Sequence, residues 1–465
     1  MLFASAAFLF IFLPLALALY MLVSESIKKH VLLLSGLLFY VFANLATPLT
    51  IPIFATVFLI THFAGGYVAK TGNRALTFCV VFFDVAAFVV LRLLYESQEI
   101  NFRFPLGAAI YLLASVSYIL DIRRGDCSPG RPTDTLLYLS FFPVIVAGPV
   151  IKYKDFVKYI GDIKISIANF AGGARLFMAG FIETVAVAAV MGEAYKTIVE
   201  LSGHSLNVAL GVLAAVLAMI SGFFTVAGWT DIGTGIAMMF GIMIPRDCGF
   251  APGALTPLGH FQRILRGLRG WLDDYIIAPV TRVTRLRGKP AEALGVFLQV
   301  VLVALWLRTT SAMLYVALVV AGMAALSRVT GYDEAMGKKR YLWPVGWLLA
   351  TALMSVFWTS ATLSGAGGLL AMLGKLSITQ DFRTYYIYIS LSGWEFISVA
   401  AAAFLLIVPV SFFQEPILTH TPKGLRTSIE ALFMLVLICA FVFSILYFMP
   451  QYPGFAVRIS EYFAF

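Results

Sequence analysis

Charge is scarce in this chain. Of its 465 residues only 12% are Asp, Glu, Lys or Arg, and 61% are hydrophobic, whereas a soluble domain is roughly a quarter charged and half apolar. That composition excludes a water-soluble globular protein. Histidine is also scarce, with five residues, and the four cysteines (Cys79, Cys127, Cys248 and Cys439) show no CxxC and no Cys/His metal spacing, which leaves a zinc site without support. Cys79 and Cys439 lie in apolar runs and read as small core residues. No Walker loop, dinucleotide fingerprint, HExxH or GxSxG turn occurs, so the chemistries that need them have no motif here. The net charge of +9 comes without a basic tail or an aromatic-basic module, and no nucleic-acid partner is expected.

What is present is a series of apolar runs near the ~20 residues that cross a bilayer. The clearest cover 2–23, 30–45, 50–69, 76–95, 104–120, 206–226, 294–307, 309–327, 341–359, 396–414 and 431–449. Weaker runs at 135–149, 175–199, 228–245 and 360–374 are interrupted by Gly and Pro and read in part as re-entrant or interfacial. An all-α polytopic membrane protein of about eleven to fourteen segments is expected, with residues 1–465 forming one transmembrane domain. No charged residue precedes Glu25, and the opening run lacks the basic start of a cleaved signal, so it reads as the first membrane helix. No internal repeat is visible.

Loop charges alternate. Basic clusters at Lys28-Lys29, Lys70/Arg74, Arg123/Arg124/Arg131, Lys338/Lys339/Arg340 and Lys423/Arg426 contrast with turns at 46–49 and 200–205 that hold no Lys or Arg. The positive-inside rule then puts these clusters in the cytoplasm and the amino terminus outside. Residues 256–290 differ from the rest. Arg263, Arg266 and Arg269 recur every three positions among Ile264, Leu265, Leu268 and Leu272, the pattern of a basic interfacial helix. Its arginines would lie under anionic headgroups or line the cytoplasmic mouth for an acidic donor.

The stretch Trp229 to Val280, WTDIGTGIAMMFGIMIPRDCGFAPGALTPLGHFQRILRGLRGWLDDYIIAPV, resembles the central block of the membrane-bound O-acyltransferase family, in the bacterial branch of the alginate O-acetylation membrane subunit. The likeness rests on Thr230-Asp231, Met239-Phe240-Gly241, Trp271, Asp274-Tyr275 and Pro279. Further motifs follow the family's order: the opening MLFASAAFLFIFLPLALALYML, Pro105-Leu106-Gly107 through Ser117-Tyr118-Ile119-Leu120-Asp121, LSFFPVIVAGPVIKYKDF, and VFWTSATLSGAGGLLAMLG. The resemblance implies a helical bundle with re-entrant or interfacial helices around a central tunnel. By the same likeness Trp229, Arg263, Trp271, Asp274, Tyr275 and Trp306 would line that tunnel, Asp274 also pairing with an arginine.

The departures fall on the chemistry. The family's WRRWH becomes Phe261-Gln262-Arg263-Ile264-Leu265, and its LWHG becomes Leu305-Trp306-Leu307-Arg308, so both motif histidines are replaced by leucine. A hydroxyl nucleophile needs a base that is neutral near pH 7, and leucine cannot accept a proton. Three residues are candidate substitutes. His260, five residues before Leu265, would sit about 140° round a continuous helix from it, as a base or as an interfacial or capping residue. Asp231, on the family's YSD position, would either hydrogen-bond a neighbouring helix or act in the cavity. Glu183, where the family has a Lys-Lys pair, would be a base or an ion-pair member.

The resemblance implies transfer of an acyl, typically acetyl, group from a cytoplasmic thioester donor such as acetyl-CoA or an acyl carrier to a hydroxyl acceptor. No resident cofactor or metal is expected. The acceptor would be a cell-surface polysaccharide, the location the bacterial inner membrane, and the partners a periplasmic SGNH-type transferase or a polysaccharide-synthesis complex. Two other readings stay open: a catalytically silent homologue serving as scaffold, regulator or acyl conduit, and a transporter or flippase.

Overall fold

The computed structural model describes residues 3, 5–45, 47–97, 104–201, 206–362, 376–377 and 423–451. Their regular structure is helical, with turns and irregular segments between the helices, apart from a two-residue parallel pairing of Leu206–Asn207 with Leu376–Ser377. Nine of the helices described are long and apolar enough to cross a bilayer, and the chain is a multi-pass membrane protein. The expected segments at 360–374 and 396–414 fall outside the described residues.

The chain divides into two compact units. The first runs up to Phe177 and includes Trp229–Asp247; the second holds Met178–Gly228 and continues from Cys248.

In the first unit, α1 (Leu13–Leu22), α2 (Glu25–Ala43), α3 (Thr50–Thr71) and α4 (Arg74–Ser97) precede α5 (Ala108–Arg124). Phe10, Leu15, Phe63, Phe78 and Phe82 are exposed, as helices facing lipid rather than water require. Cys79 and Cys439 are exposed too, so they lie on this kind of outer surface rather than in a core. The run expected at 104–120 becomes α5, of 17 residues, and is buried along nearly its whole length. Its Ser115 hydroxyl donates to Asp84 at 2.6 Å and lies 2.6 Å from the Thr61 hydroxyl, giving the intramembrane acid a partner inside the protein. The 135–149 run breaks into α6 (Pro132–Leu139) and α7 (Phe142–Ile145), because Pro143 cannot continue a preceding helix. Then come α8 (Tyr153–Gly161) and α9 (Ile167–Ile182).

A π-helical turn, Glu183–Ala188, joins α9 to α10 (Ala189–Leu201). The weak 175–199 run is therefore part of one longer span, Ile167–Val199. The runs expected at 206–226 and 228–245 likewise merge into one helix, α11 (Val208–Met239); no proline interrupts it, and its glycines are helix-tolerated. In the second unit follow α12 (Pro257–Phe261), α13 (Arg266–Leu272), α14 (Ala278–Thr284), α15 (Lys289–Leu307), α16 (Ser311–Thr330), α17 (Tyr332–Lys338), α18 (Trp343–Thr362) and α19 (Lys423–Phe443).

Within the first unit, backbones meet where glycines leave room. A Cβ on Gly235 would stand 2.6 Å from the Phe177 amide and 2.7 Å from the Gly173 carbonyl, and one on Gly233 would stand 2.3 Å from the Pro143 carbonyl. This is the small-residue contact that membrane helices use to approach closely. Gly235→Ala should therefore destabilise by about 1–3 kcal/mol, read as a lower unfolding temperature in detergent. Gly66→Ala and Gly322→Ala, where an added Cβ meets nothing within 4 Å, should not lower it; equal losses at all three would show that contact is not the cause.

Candidate functional site

In the first unit Asp231 is fully buried, on the last turns of α11. Its carboxylate accepts from Arg246 Nε at 2.9 Å on both oxygens and also from Nη2. The guanidinium comes from the irregular segment after α11 and is half in solvent, 52% exposed against 0% for the acid. A carboxylate clamped in this way has its lone pairs directed at N–H groups. It is a structural anchor more readily than a base. Beside it Trp229 stacks on Phe3, ring centroids 5.9 Å apart, and is fully buried.

The other motif positions belong to the second unit. Residues 256–290 do not form one basic helix. Thr256 caps α12, its hydroxyl accepting from the Gly259 amide at 3.0 Å and bonding Asp333. The chain then turns sharply, with Leu265 left-handed at φ 46° and ψ 51°, before α13 begins. After α13 come a π turn, Asp273–Ile277, and α14, closed by Arg285 at φ 55°. The continuous-helix estimate of 140° between His260 and Leu265 therefore does not apply, because α12 ends at Phe261.

The arginines of this segment also differ from a simple headgroup-facing stripe. Arg263 is half-buried and donates to the Phe250 carbonyl at 2.9 Å, while its own carbonyl accepts from the Gly249 amide at 2.6 Å. Burial, then the charge of Arg266, pushes its guanidinium below the ordinary value. Arg269 Nε donates to Gln299 on α15 at 3.0 Å, and Gln299 donates in turn to Asp273 at 3.0 Å. Arg266 is the exposed one of the three. Trp271 and Tyr275 are buried with ring centroids 5.1 Å apart, and Asp274 is half-buried between them in sequence.

Leu265 and Leu307 are 5% and 1% exposed. Leu307 is the last residue of α15, next to the buried Trp306. Both therefore contribute apolar packing where the motif has imidazole. Glu183 is half-buried at the start of the π turn, a kind of helix irregularity that recurs at functional positions.

His260 is 2% exposed. Its Nε2 accepts from Trp358 Nε1 of α18 at 3.3 Å, and the ring also bonds the Ala251 carbonyl. Both nitrogens are thus engaged in one tautomer, neutral with the proton on Nδ1. Burial first, and the charge of Arg263 as well, push its pKa down to about 3. A general base works best with a pKa near the operating pH, so a ring so weakly basic and already hydrogen-bonded is a poor proton acceptor. Trp358 lies over Gly222, where a Cβ would stand 2.3 Å from its ring. Sequence reasoning missed Arg246, Gln299 and Trp358; only Trp358 carried a signal, inside the VFWTS motif. Among the described residues no group of three His, Cys, Asp or Glu could hold a metal ion.

Two predictions follow from this geometry. Arg246→Ala would strand a fully buried carboxylate and should cost about 3 kcal/mol, the lower end for breaking a buried pair because the guanidinium is half solvated. Asp231→Asn should cost less, since the partner left behind can reach water; the reverse order in thermal unfolding would refute the anchor. His260, neutral in the fold but near its ordinary 6.5 when unfolded, lets the unfolded chain bind the proton first. Stability should then decline as pH falls below 6.5 toward 3, and His260→Gln should flatten that part of the unfolding-temperature profile.

No family model matches the chain. It is 27% identical over 314 residues to a probable alginate O-acetylase AlgI of Pseudomonas fluorescens, covering 66% of this chain and 62% of that protein. It is 24% identical over 461 residues to the corresponding protein of Pseudomonas aeruginosa, covering 92% and 86%. A peptidoglycan O-acetyltransferase of Helicobacter pylori is 22% identical over 356 residues, 65% of each chain. The chain thus spans less than two thirds of the P. fluorescens and H. pylori proteins but most of the P. aeruginosa one. The chain is thus similar to alginate O-acetylases, nearly end to end in the longest of these likenesses, in keeping with the membrane-bound O-acyltransferase motifs that it resembles.

Proposed function

We infer that this protein is the membrane component of a system that transfers an acyl group, acetyl by analogy, from a cytoplasmic thioester to hydroxyls of a bacterial cell-surface polysaccharide. The observation that carries the reading is the alignment with an alginate O-acetylase over 92% of the chain. The whole chain would act as one transmembrane domain of the inner membrane, amino terminus outside, its bundle enclosing the donor's path. A periplasmic SGNH-type transferase or the polysaccharide-synthesis complex would be its partner.

The residues limit how the reaction could run. A thioester carbonyl attacked by a hydroxyl forms the new ester as the thiolate leaves, and the hydroxyl proton must go to a base. Leu265 and Leu307 offer none, and His260 is engaged and weakly basic. Glu183 is the candidate base on this chain; otherwise the base comes from the partner. The leucines and the closed His260 favour a second reading, in which the protein is a silent conduit that hands the acyl group on.

Deletion should remove alkali-labile acyl groups from the extracellular polysaccharide, and complementation should restore them. Unchanged acyl content would defeat the assignment. In the complemented strain, Glu183→Gln should lower acyl content by about 10²-fold or more if Glu183 is the base; unchanged acylation would favour the conduit.

A further inference from the structure

The start of α2 and the start of α6 enclose a cavity of about 470 Å³ in the first unit, within the range of small-molecule sites. Nothing in the proposed acyl transfer uses it. Two of its walls come from basic clusters that the loop-charge pattern assigns to the cytoplasm: Lys29 and His30 on α2, and Arg131 just before α6. Ser26, whose hydroxyl lies 3.2 Å from that of Ser24, and Thr133 also line it.

The neighbouring lysine is spent differently. Lys28 turns inward, bonds Glu25 at 2.5 Å and lies 5.5 Å over the Tyr20 ring. Lys29 and Arg131, both exposed, form no ion pair among the described residues. Asp134 is the one carboxylate on the lining, and it accepts from the Arg131 amide at 3.3 Å at the first turn of α6. Two cationic and two hydroxyl-bearing residues therefore line one concave space with a single acid turned to the backbone. That donor set fits a phosphate, which takes charge from Lys and Arg and hydrogen bonds from hydroxyls.

We propose that this cavity is a phosphate-binding site whose occupant is the headgroup of an anionic phospholipid of the same leaflet. Apolar surface continues from it in the right sense. Buried Leu137 closes the inner end, and Leu34 and Leu38 are exposed along α2 immediately beyond His30, where acyl chains leaving a bound headgroup would lie. Basic side chains at a membrane surface attract anionic lipid at about 1 kcal/mol each. A soluble phosphorylated molecule, including the phosphates of a thioester donor, would satisfy the same polar groups but has no use for the apolar exit. This proposal stands whether or not the chain transfers acyl groups.

The test compares the full-length protein with Lys29→Gln/Arg131→Gln and with a charge-matched control, Lys338→Gln/Lys339→Gln, which does not line the cavity. All are exposed, so folding should persist, with matching unfolding temperatures as the check. Retention of phosphatidylglycerol against phosphatidylcholine is measured by native mass spectrometry after release from nanodiscs. Inorganic phosphate and coenzyme A are titrated separately onto the detergent-solubilised protein. Selective loss of phosphatidylglycerol in the cavity variant, about ten- to thirtyfold, is the expected result. Unchanged lipid retention with lost phosphate or coenzyme A binding would overturn the lipid as occupant and leave a soluble phosphate site. No difference between the cavity variant and the control in any arm would overturn the site itself.

Discussion

Within a bilayer, each buried polar group must find its partner inside the protein, because no water is available to solvate it. That constraint explains most of what is specific in this structure. Asp84 takes its hydrogen bond from Ser115, Asp231 is held by Arg246, and buried Gln299 accepts from Arg269 and donates to Asp273. Residues that look catalytic in a list of intramembrane acids become, once partnered, parts of the framework. The cost of leaving any of them unpartnered is several kcal/mol, larger than the net worth of most single contacts, so partnering decides where these side chains point.

The same logic treats the two motif histidine positions and His260 differently. Leucine at 265 and 307 removes both a polar group and its need for a partner, and both side chains simply pack. His260 keeps its polar ring and answers the constraint with Trp358 and Ala251. A ring satisfied at both nitrogens is stable and chemically quiet. The leucines at the motif positions and the engaged ring of His260 thus offer no free base in this region. On the proposed acyl transfer, proton acceptance would fall to Glu183 or to a group outside the chain.

The helical membrane fold was legible in the sequence, since apolar runs near the length of a bilayer span carry a direct physical signal. The merging of two expected runs into one helix over 208–239 was not, because glycines that could end a helix in water are tolerated in a membrane span. The break inside 256–290 was hidden for another reason. Every third residue from Arg263 is basic, which mimics helical periodicity, while the actual stop is a left-handed leucine that no propensity favours. Asp231 was legible as a candidate, but its partner lies 15 residues on in irregular chain, where spacing gives no clue.

Leu265 carries the argument one step further. A left-handed backbone costs a branched aliphatic residue about 1–2 kcal/mol, while histidine and asparagine are enriched there. The position that holds histidine in the resembled motif thus has, in this chain, a backbone conformation in which histidine is enriched and leucine is not. Strain of this kind persists only where surrounding structure fixes it. Here the Leu265 carbonyl accepts from the Arg269 amide at 2.9 Å, opening α13, and the Gly249–Arg263 bond ties down the approach. The turn is thus specified by its hydrogen bonds and not by the residue at its apex. Geometry fixed in this way does not depend on the side chain at its apex, so leucine stands in a turn whose conformation it does not favour.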